Sequence, residues 1–534
     1  RWARRGIVVS LFLPLALAQG ASASQSASGP AGPATSATVG AAAPAWTVYH
    51  GDGAGSGVAP SVTSVDVSSP AWTSPALDGS LYGEPLVSGG LVFVATENDT
   101  VYALSAASGA IAWSSHLAAP VPASSLPCGD ITPTVGITGT PVLDAQSGEL
   151  FVVADELSNG RPAHQLVGLS AATGKVELDQ NVDPAGSTPS AILQRTGLTL
   201  DAGRVVFGYG GNYGDCSTYH GWVMSVPEAG GTPATFDVDS GAGESQGAVW
   251  MGGAAPAIDS SGNIWVTAGN GSVTSAGHAY DDSDSVLELS PSLSLEQFFA
   301  PSSWPSDNAR DLDFSTSVAL LPDGHVVAGS KSRTAYLLNG SSLGGIGGQE
   351  AALADACGTD IDGGLAFEGA TVYLPCQEGP VALQVSSSPA GLRSLWSSSV
   401  GGGPPIVAGG LVWTIGSNGT LYGLNPSSGA VSAQADIGAP ANHFPTPSMG
   451  AGLLLAPSAD RVVAFSAPSA AATAGTSTTT THPTTTTTAR TALAGGTDPW
   501  ILAAAIGGGL VVLGVVLTVV FRRRRGAGGA TRSS

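Results

Sequence analysis

The sequence predicts an all-β fold, an eight-bladed β-propeller, joined to one transmembrane helix. Three observations carry this. A hairpin recurs with an offset of 320 residues, weaker copies fill the chain between, and the composition pairs 75 glycines with only 11% charged residues. So few charges exclude a coiled coil, a long helical bundle and charge-driven disorder, while 43% hydrophobic residues suffice for a core. At 534 residues the chain exceeds one compact core, which leaves several domains or one large repeat architecture.

The repeat is read directly. Leu91-Val92-Phe93-Val94, an Asn98-Asp99 turn and Val101-Tyr102-Ala103-Leu104 match Leu411-Val412-Trp413-Thr414, Asn418-Gly419 and Leu421-Tyr422-Gly423-Leu424. Gly89-Gly90 and Gly409-Gly410 precede the two copies, and Ser108-Gly109-Ala110 and Ser428-Gly429-Ala430 follow them. Each copy is an apolar strand, a tight turn and a second strand ending in Leu. A third strand follows, beginning at Ile111-Ala112-Trp113. Weaker copies start at Leu150, Val205, Asn263, His325, Thr371 and Leu453. Eight units in 46–466 average about 53 residues, a propeller-blade period. Radial repetition removes the long open edges that so many antiparallel strands would otherwise expose. The last unit lacks an outer strand, and Pro70-Ala71-Trp72-Thr73 is expected to supply it and close the ring.

The ends set the expected topology. Residues 1–23 read as a secretory leader: Arg1, Arg4 and Arg5, an apolar run from Gly6 to Ala18, then small-residue cleavage sites. Residues 24–45 are a linker without charge, and 467–498 a Thr/Ser/Pro-rich stalk. Residues 499–521 read as a membrane helix, with Trp500 at the interface and no charge from Ile501 to Phe521. Arg522 to Arg525 open a basic tail, 522–534, that the positive-inside rule keeps in the cytoplasm. The expectation is a single-pass protein of the cell membrane with its propeller outside. All 39 acidic residues lie between Asp52 and Asp498, against ten basic ones, so nucleic acid is not an expected partner.

The stretch Ala103-Leu104-Ser105-Ala106-Ala107-Ser108-Gly109-Ala110-Ile111-Ala112-Trp113 resembles the tryptophan-docking repeat of the quinoprotein, or pyrroloquinoline-quinone-like, propellers. Ala103, Gly109 and Trp113 carry the motif. Gly168 to Gly174 and Gly423 to Gly429 are degenerate copies, and Trp46-Thr47-Val48-Tyr49-His50-Gly51-Asp52 resembles the start of such domains. Ser105 and Asn425 replace the usual Asp, and only Trp113 keeps the docking Trp clearly. The resemblance implies an eight-bladed propeller and two functional classes. Dehydrogenases of this fold use Ca²⁺, a catalytic Asp, a disulfide between adjacent cysteines and a stacking Trp; other members are scaffolds without cofactor. Here no two cysteines are adjacent, no residue matches the catalytic Asp, and Cys-x-x-Cys-His is absent. The expected function is therefore a non-catalytic binding or scaffold module for an envelope protein or glycan, with no cofactor. The alternative is a quinone- and Ca²⁺-dependent oxidoreductase with an atypical site.

Four cysteines in an exported chain favour two disulfides, in three possible connectivities. Cys357 with Cys376 brackets neighbouring strands of one blade, and Cys128 with Cys216 joins two long loops; this pairing is preferred. Two loop clusters offer ligand chemistry. Asn212, Tyr213, Asp215, Tyr219, His220 and Trp222 form a glycine-flanked loop suited to a sugar or ring, or simply a disulfide-pinned connection. Asp281, Asp282 and Asp284, with Asp307, Asp311 and Asp313, offer the oxygen ligands Ca²⁺ takes, but lack an EF-hand pattern and read as solvated turns. Sequons at Asn98, Asn270, Asn339 and Asn418 read as hairpin turns, and the histidines are too scattered to predict a metal site.

Overall fold

The computed structural model describes residues 45–470. The expected leader, membrane helix and basic tail lie outside the described residues, as does nearly all of both linkers. Among the described residues no helix is long and apolar enough to cross a membrane. The expected body, 46–466, extends slightly further. Ala467 is fully buried, and the Ala470 amide donates to Ser61 O at 2.8 Å.

Eight sheets form the blades, five of four strands and three that carry a fifth, and each expected hairpin supplies the two strands next to the inner one. In the first blade Leu86–Ser88 is innermost, Leu91–Ala95 and Thr100–Ser105 are the hairpin, and Ile111–His116 is outermost. The innermost strands are only two or three residues long, because they converge on the axis. Opposite the first residue of every inner strand stands an apolar side chain: Phe93, Phe151, Val206, Trp265, Val327, Tyr373, Trp413 and Leu455. All eight are buried between sheets. The outermost strand meets solvent on one side, so Ile111–His116, Val176–Asn181 and Val431–Asp436 alternate between more and less exposed residues.

The ring closes as the sequence predicts. Trp72–Thr73 pairs with the last strand, Arg461–Ser466, with Trp72 opposite Ala464. The eighth blade therefore takes its outer strand from the N-terminal side of the chain. The docking motif is more widespread than the sequence shows. Trp72, Trp113 and Trp396 each reach the turn of the next blade, their Nε1 donating to Ala106 O (2.8 Å), Ala171 O (3.0 Å) and Pro426 O (2.7 Å). Each indole lies on a glycine of positive φ, where an added Cβ would sit 2.4–2.5 Å from the ring: Gly109, Gly174 and Gly429. Reading Trp113 as the only clear docking Trp was thus incomplete. Leu178, Ala234 and Gln297 hold the same register in other blades, and Gln297 Nε2 likewise donates to Gly340 O in the next blade at 2.8 Å.

Both disulfides form as preferred, Cys128–Cys216 and Cys357–Cys376. One reading needs correction: Asn270 is not at a hairpin turn but buried in a long loop. Asn339 ends the strand Ala335–Asn339 and opens the turn after it, its Oδ1 accepting from the Ser341 amide at 3.0 Å. One short helix, Trp304–Asn308, interrupts the all-β pattern.

The segment opening at Trp46 closes one end of the axial channel. Trp46 exchanges backbone bonds with Val87. Thr47, Gly53, Ser56 and Gly57 carbonyls accept from Leu143, Ile258, Phe367 and Val407 at 2.7–2.9 Å. These partners are inner-strand residues of five different blades, each just before the tight turn to the next strand. The plug therefore sits on the turn face. Two of its donors go to Glu84, which accepts from Trp46 Nε1 (3.0 Å) and the His50 amide (2.8 Å), while His50 Nε2 is buried without a partner among the described residues. Burial pushes the Glu84 carboxyl well above the usual carboxylate range. His50 is fully buried, stacks on Tyr49 at 4.2 Å and donates from Nδ1 to Leu365 O at 3.0 Å.

Two predictions follow from these contacts. Gly109→Ala forces a Cβ into Trp72 at a φ of +69° and is expected to cost about 2–4 kcal/mol in denaturant unfolding. Burial depresses His50 to a pKa of about 4 from 6.5, so the folded state resists its protonation. Its contribution is whole above pH 6.5 and is lost as pH falls toward about 4. Against His50→Gln, which does not titrate, the wild-type advantage in denaturant midpoint should shrink across that window and level off below it.

Candidate functional site

With the turn face plugged, the other end of the axis lies where the longer connections gather. Four residues before each inner strand, every blade places one residue at the same level: Tyr82, Thr138, Arg195, Gly253, Ser315, Asp362, Gly402 and Phe444. Contacts confirm this ring. Arg195, from the third blade, lies 5.9 Å from the Tyr82 ring centroid and 5.4 Å from that of Phe444, on the connections into the first and eighth blades. A Cβ on Gly253 would meet its Nη1 at 2.3 Å. Ser315 Oγ donates to Asp362 at 2.6 Å. Arg195 thus reaches across the axis, and Gly, Ser and Thr at four ring positions keep the rest of this level narrow in side-chain bulk.

Arg195 is 8% exposed, and among the described residues no acceptor bonds or ion-pairs its guanidinium. Burial lowers its pKa, while Tyr82, Glu97, Tyr49 and Asp362 act in the opposite sense. Glu97 is itself buried and accepts from the Gly136 amide (2.8 Å) and Thr138 Oγ1 (3.1 Å), leaving its Oε1 without a partner. Burial raises its pKa to about 7.

A second cation stands nearby. Lys331 Nζ pairs with Asp313 Oδ1 at 2.9 Å and Asp311 Oδ1 at 3.1 Å, and lies 5.6 Å over the Trp250 ring. Burial alone would lower its pKa, but the charges of Asp313, Asp362 and Asp311 outweigh it and raise it. Asp313 is fully buried, which lifts it to about 6. Asn270 joins this group: its amide donates to Asp313 Oδ2 (3.2 Å) and its Nδ2 to Asp215 Oδ2 (3.5 Å).

The loop cluster expected from the sequence divides in two. Asn212 is buried and donates to Ser190 O at 2.9 Å, Tyr219 OH donates to Asp215 at 2.6 Å, and Tyr213 is 72% exposed. His220 and Trp222 stack together at the outer side, away from Asp215 in hydrogen bonding. His220 Nδ1 lies 3.0 Å from Asp237 Oδ1 and 3.1 Å from Asp239 Oδ1. This is the one group of the described residues whose ligand atoms are close enough to share a metal ion. Scatter of histidines hid it, since the partners of His220 are carboxylates. The acidic turns also differ from expectation. Asp281, Asp284, Asp307 and Asp313 are buried rather than solvated; three are engaged separately, Asp281 by Ser283, Asp307 by Ser303 and Arg310, and Asp313 by Lys331, while neither Asp284 oxygen has a hydrogen-bond partner among the described residues.

The sequence profile of the family described as outer membrane protein assembly factor BamB matches residues 15–218. No curated protein matches the chain. A quinohemoprotein alcohol dehydrogenase from Comamonas testosteroni superposes with a TM-score of 0.60 at 16% identity, over 79% of this chain and 80% of its own. A second, from Pseudomonas putida HK5, gives 0.60 at 14% identity, over 80% and 81%. A europium-containing methanol dehydrogenase gives 0.58 at 14% identity, over 79% and 98%. The chain shares the eight-bladed propeller fold of these dehydrogenases. At these identities the structural likeness speaks for the fold and leaves activity to the site.

Does the site of this quinoprotein-like propeller suit a quinone? Trp250 is the indole at its loop face, with Nε1 donating to Gly211 O at 2.9 Å. Its ring already carries the Lys331 ammonium. A planar quinone stacked there displaces that ammonium and strands the buried Asp313. The disulfide Cys128–Cys216 pins the adjoining loops, and the crevice between Cys128, Asn212, Asp215 and Tyr219 is too narrow for a water molecule. The residues as arranged do not fit the quinone, and no step is derived through one.

The sequence carries one signal for Arg195: with only ten basic residues in the acidic stretch, one that falls just before an inner strand is conspicuous, whereas Lys331 lies in a hairpin turn, between His325–Gly329 and Ala335–Asn339. The ion pair makes a prediction. Lys331→Met leaves Asp313 buried and uncompensated and should cost about 3–5 kcal/mol. Lys331→Met combined with Asp313→Leu should recover most of that loss in the same unfolding assay.

Proposed function

We propose that this propeller is a binding module, displayed outside the cell membrane on the 467–498 stalk, that takes an envelope protein or glycan at its loop face. The observation that carries this reading is the plug. Residues 46–57 fill the turn-face end of the channel, so the axis is a funnel with one mouth, suited to holding a ligand rather than passing one. The family profile described as an assembly factor supports a scaffold, and the absence of adjacent cysteines in the sequence argues in the same direction. One observation favours the second reading, an oxidoreductase: Trp250 converges with Asp215, Asp311 and Asp313 near the axis.

The two readings separate in one experiment on the full-length chain. Immobilised protein is offered isolated envelope glycans and envelope proteins, and in parallel is titrated with pyrroloquinoline quinone, with and without Ca²⁺, while dye reduction with alcohols and sugars is followed. Saturable binding of an envelope component, with neither quinone binding nor turnover, is the expected outcome. Tight, Ca²⁺-dependent quinone binding with dye reduction would replace the binding module by an enzyme.

A further inference from the structure

We infer that the Arg195 guanidinium, at the floor of the axial funnel, anchors the carboxylate of an acidic sugar. This rests on the binding-module reading and names the chemistry of its ligand.

Of the two cations near the axis, Lys331 is spoken for by Asp311 and Asp313. Arg195 is not. It is more than nine-tenths buried, and none of its donors finds an acceptor among the described residues. No Arg195 nitrogen is among the fully buried, unpartnered polar atoms of the described residues, so its free donors touch solvent, where the oxygens of an anion can take the place of water. The nearby carboxylates are held elsewhere. Asp362 accepts from Ser315 Oγ at 2.6 Å, and Glu97 from Gly136 and Thr138. Neither comes within ion-pairing distance of Arg195.

The surroundings select the ligand. The planar fork of a guanidinium matches a carboxylate through two parallel hydrogen bonds. Tyr82 and Phe444 border the guanidinium and are only partly buried, so their rings also offer apolar faces to the C–H side of a sugar. Both are fixed before any ligand arrives. Asn442 Nδ2 donates to Tyr82 O at 3.2 Å, and the Phe444 amide donates to Asn442 Oδ1 at 2.6 Å, tying the two connections together. A ligand held at this floor is reached only from the loop face, because the plug lies on the other side.

The test is calorimetric titration of the full-length chain with D-glucuronate, D-glucose, acetate and phosphate at constant ionic strength. Saturable glucuronate binding is expected, with none for glucose and weaker binding for acetate, the arm that separates the sugar ring's share from the carboxylate's. Arg195→Gln should abolish it, and Arg195→Lys, which keeps the charge without the fork, should weaken it about tenfold. Denaturant unfolding of both variants shows whether they fold, and the Lys variant decides if the Gln variant does not. Equal binding of glucose and glucuronate, tighter binding of phosphate than of either carboxylate, or unchanged affinity in a folded Arg195 variant would each overturn the assignment. So would a wild-type chain that ignores glucuronate. If that same chain still binds neutral envelope glycans, the binding-module reading stands without Arg195; if it binds no envelope component, both fall.

Discussion

Eight twisted sheets set around an axis leave a channel, and the plug that fills it is what the remaining structure depends on. Inner strands of two or three residues cannot close the axis themselves, because they would bring too little side chain to the centre. The segment 46–57 supplies what they lack, bonding to inner strands of five blades and burying Trp46, Tyr49 and His50. A few residues later the same stretch of chain adds Val58–Ala59 beside the inner strand Ile406–Ala408, then gives Trp72–Thr73 to the last blade. One N-terminal run therefore fastens the ring both at its axis and at its rim.

Closing one end gives the other end its character. The eight ring residues meet at a level where a propeller open at both faces would be wet, and here they form a floor. Arg195 spans that floor, with Tyr49 of the plug contributing to its electrostatic surroundings from the far side. The floor carries an uncommitted positive charge inside a body that is otherwise strongly acidic. Under the proposed reading, that contrast would favour an anion at the floor over one at the acidic outer surface.

Much of the fold was legible in the sequence because it rests on local chemistry. Asn-Asp and Asn-Gly turns between apolar runs fixed the hairpins, the offset of 320 fixed the repeat, and the missing last strand pointed to Trp72. The disulfide pairing also came through, since Cys357 and Cys376 flank one hairpin region. The docking of Trp72 and Trp396 did not, because the turns they meet belong to the next blade and lack the full motif. The site was the least legible part. Its residues stand four positions before strands too short to show a period, so Tyr82, Arg195 and Phe444 are neighbours only once the ring is closed. Trp46 to Asp52 was noticed as a familiar opening, yet its role as plug depends on five distant backbone partners that no local pattern reveals.

A one-mouthed funnel requires the plug to be a fixed part of the fold. Amide hydrogen exchange of the full-length chain, read peptide by peptide, measures this. Residues 46–57 should exchange as slowly as the inner strands they bond, such as Leu86–Ser88 and Ile406–Ala408. Exchange of 46–57 at the rate of a free chain end, with the inner strands still protected, would show an axis open at both faces and contradict the one-mouthed funnel.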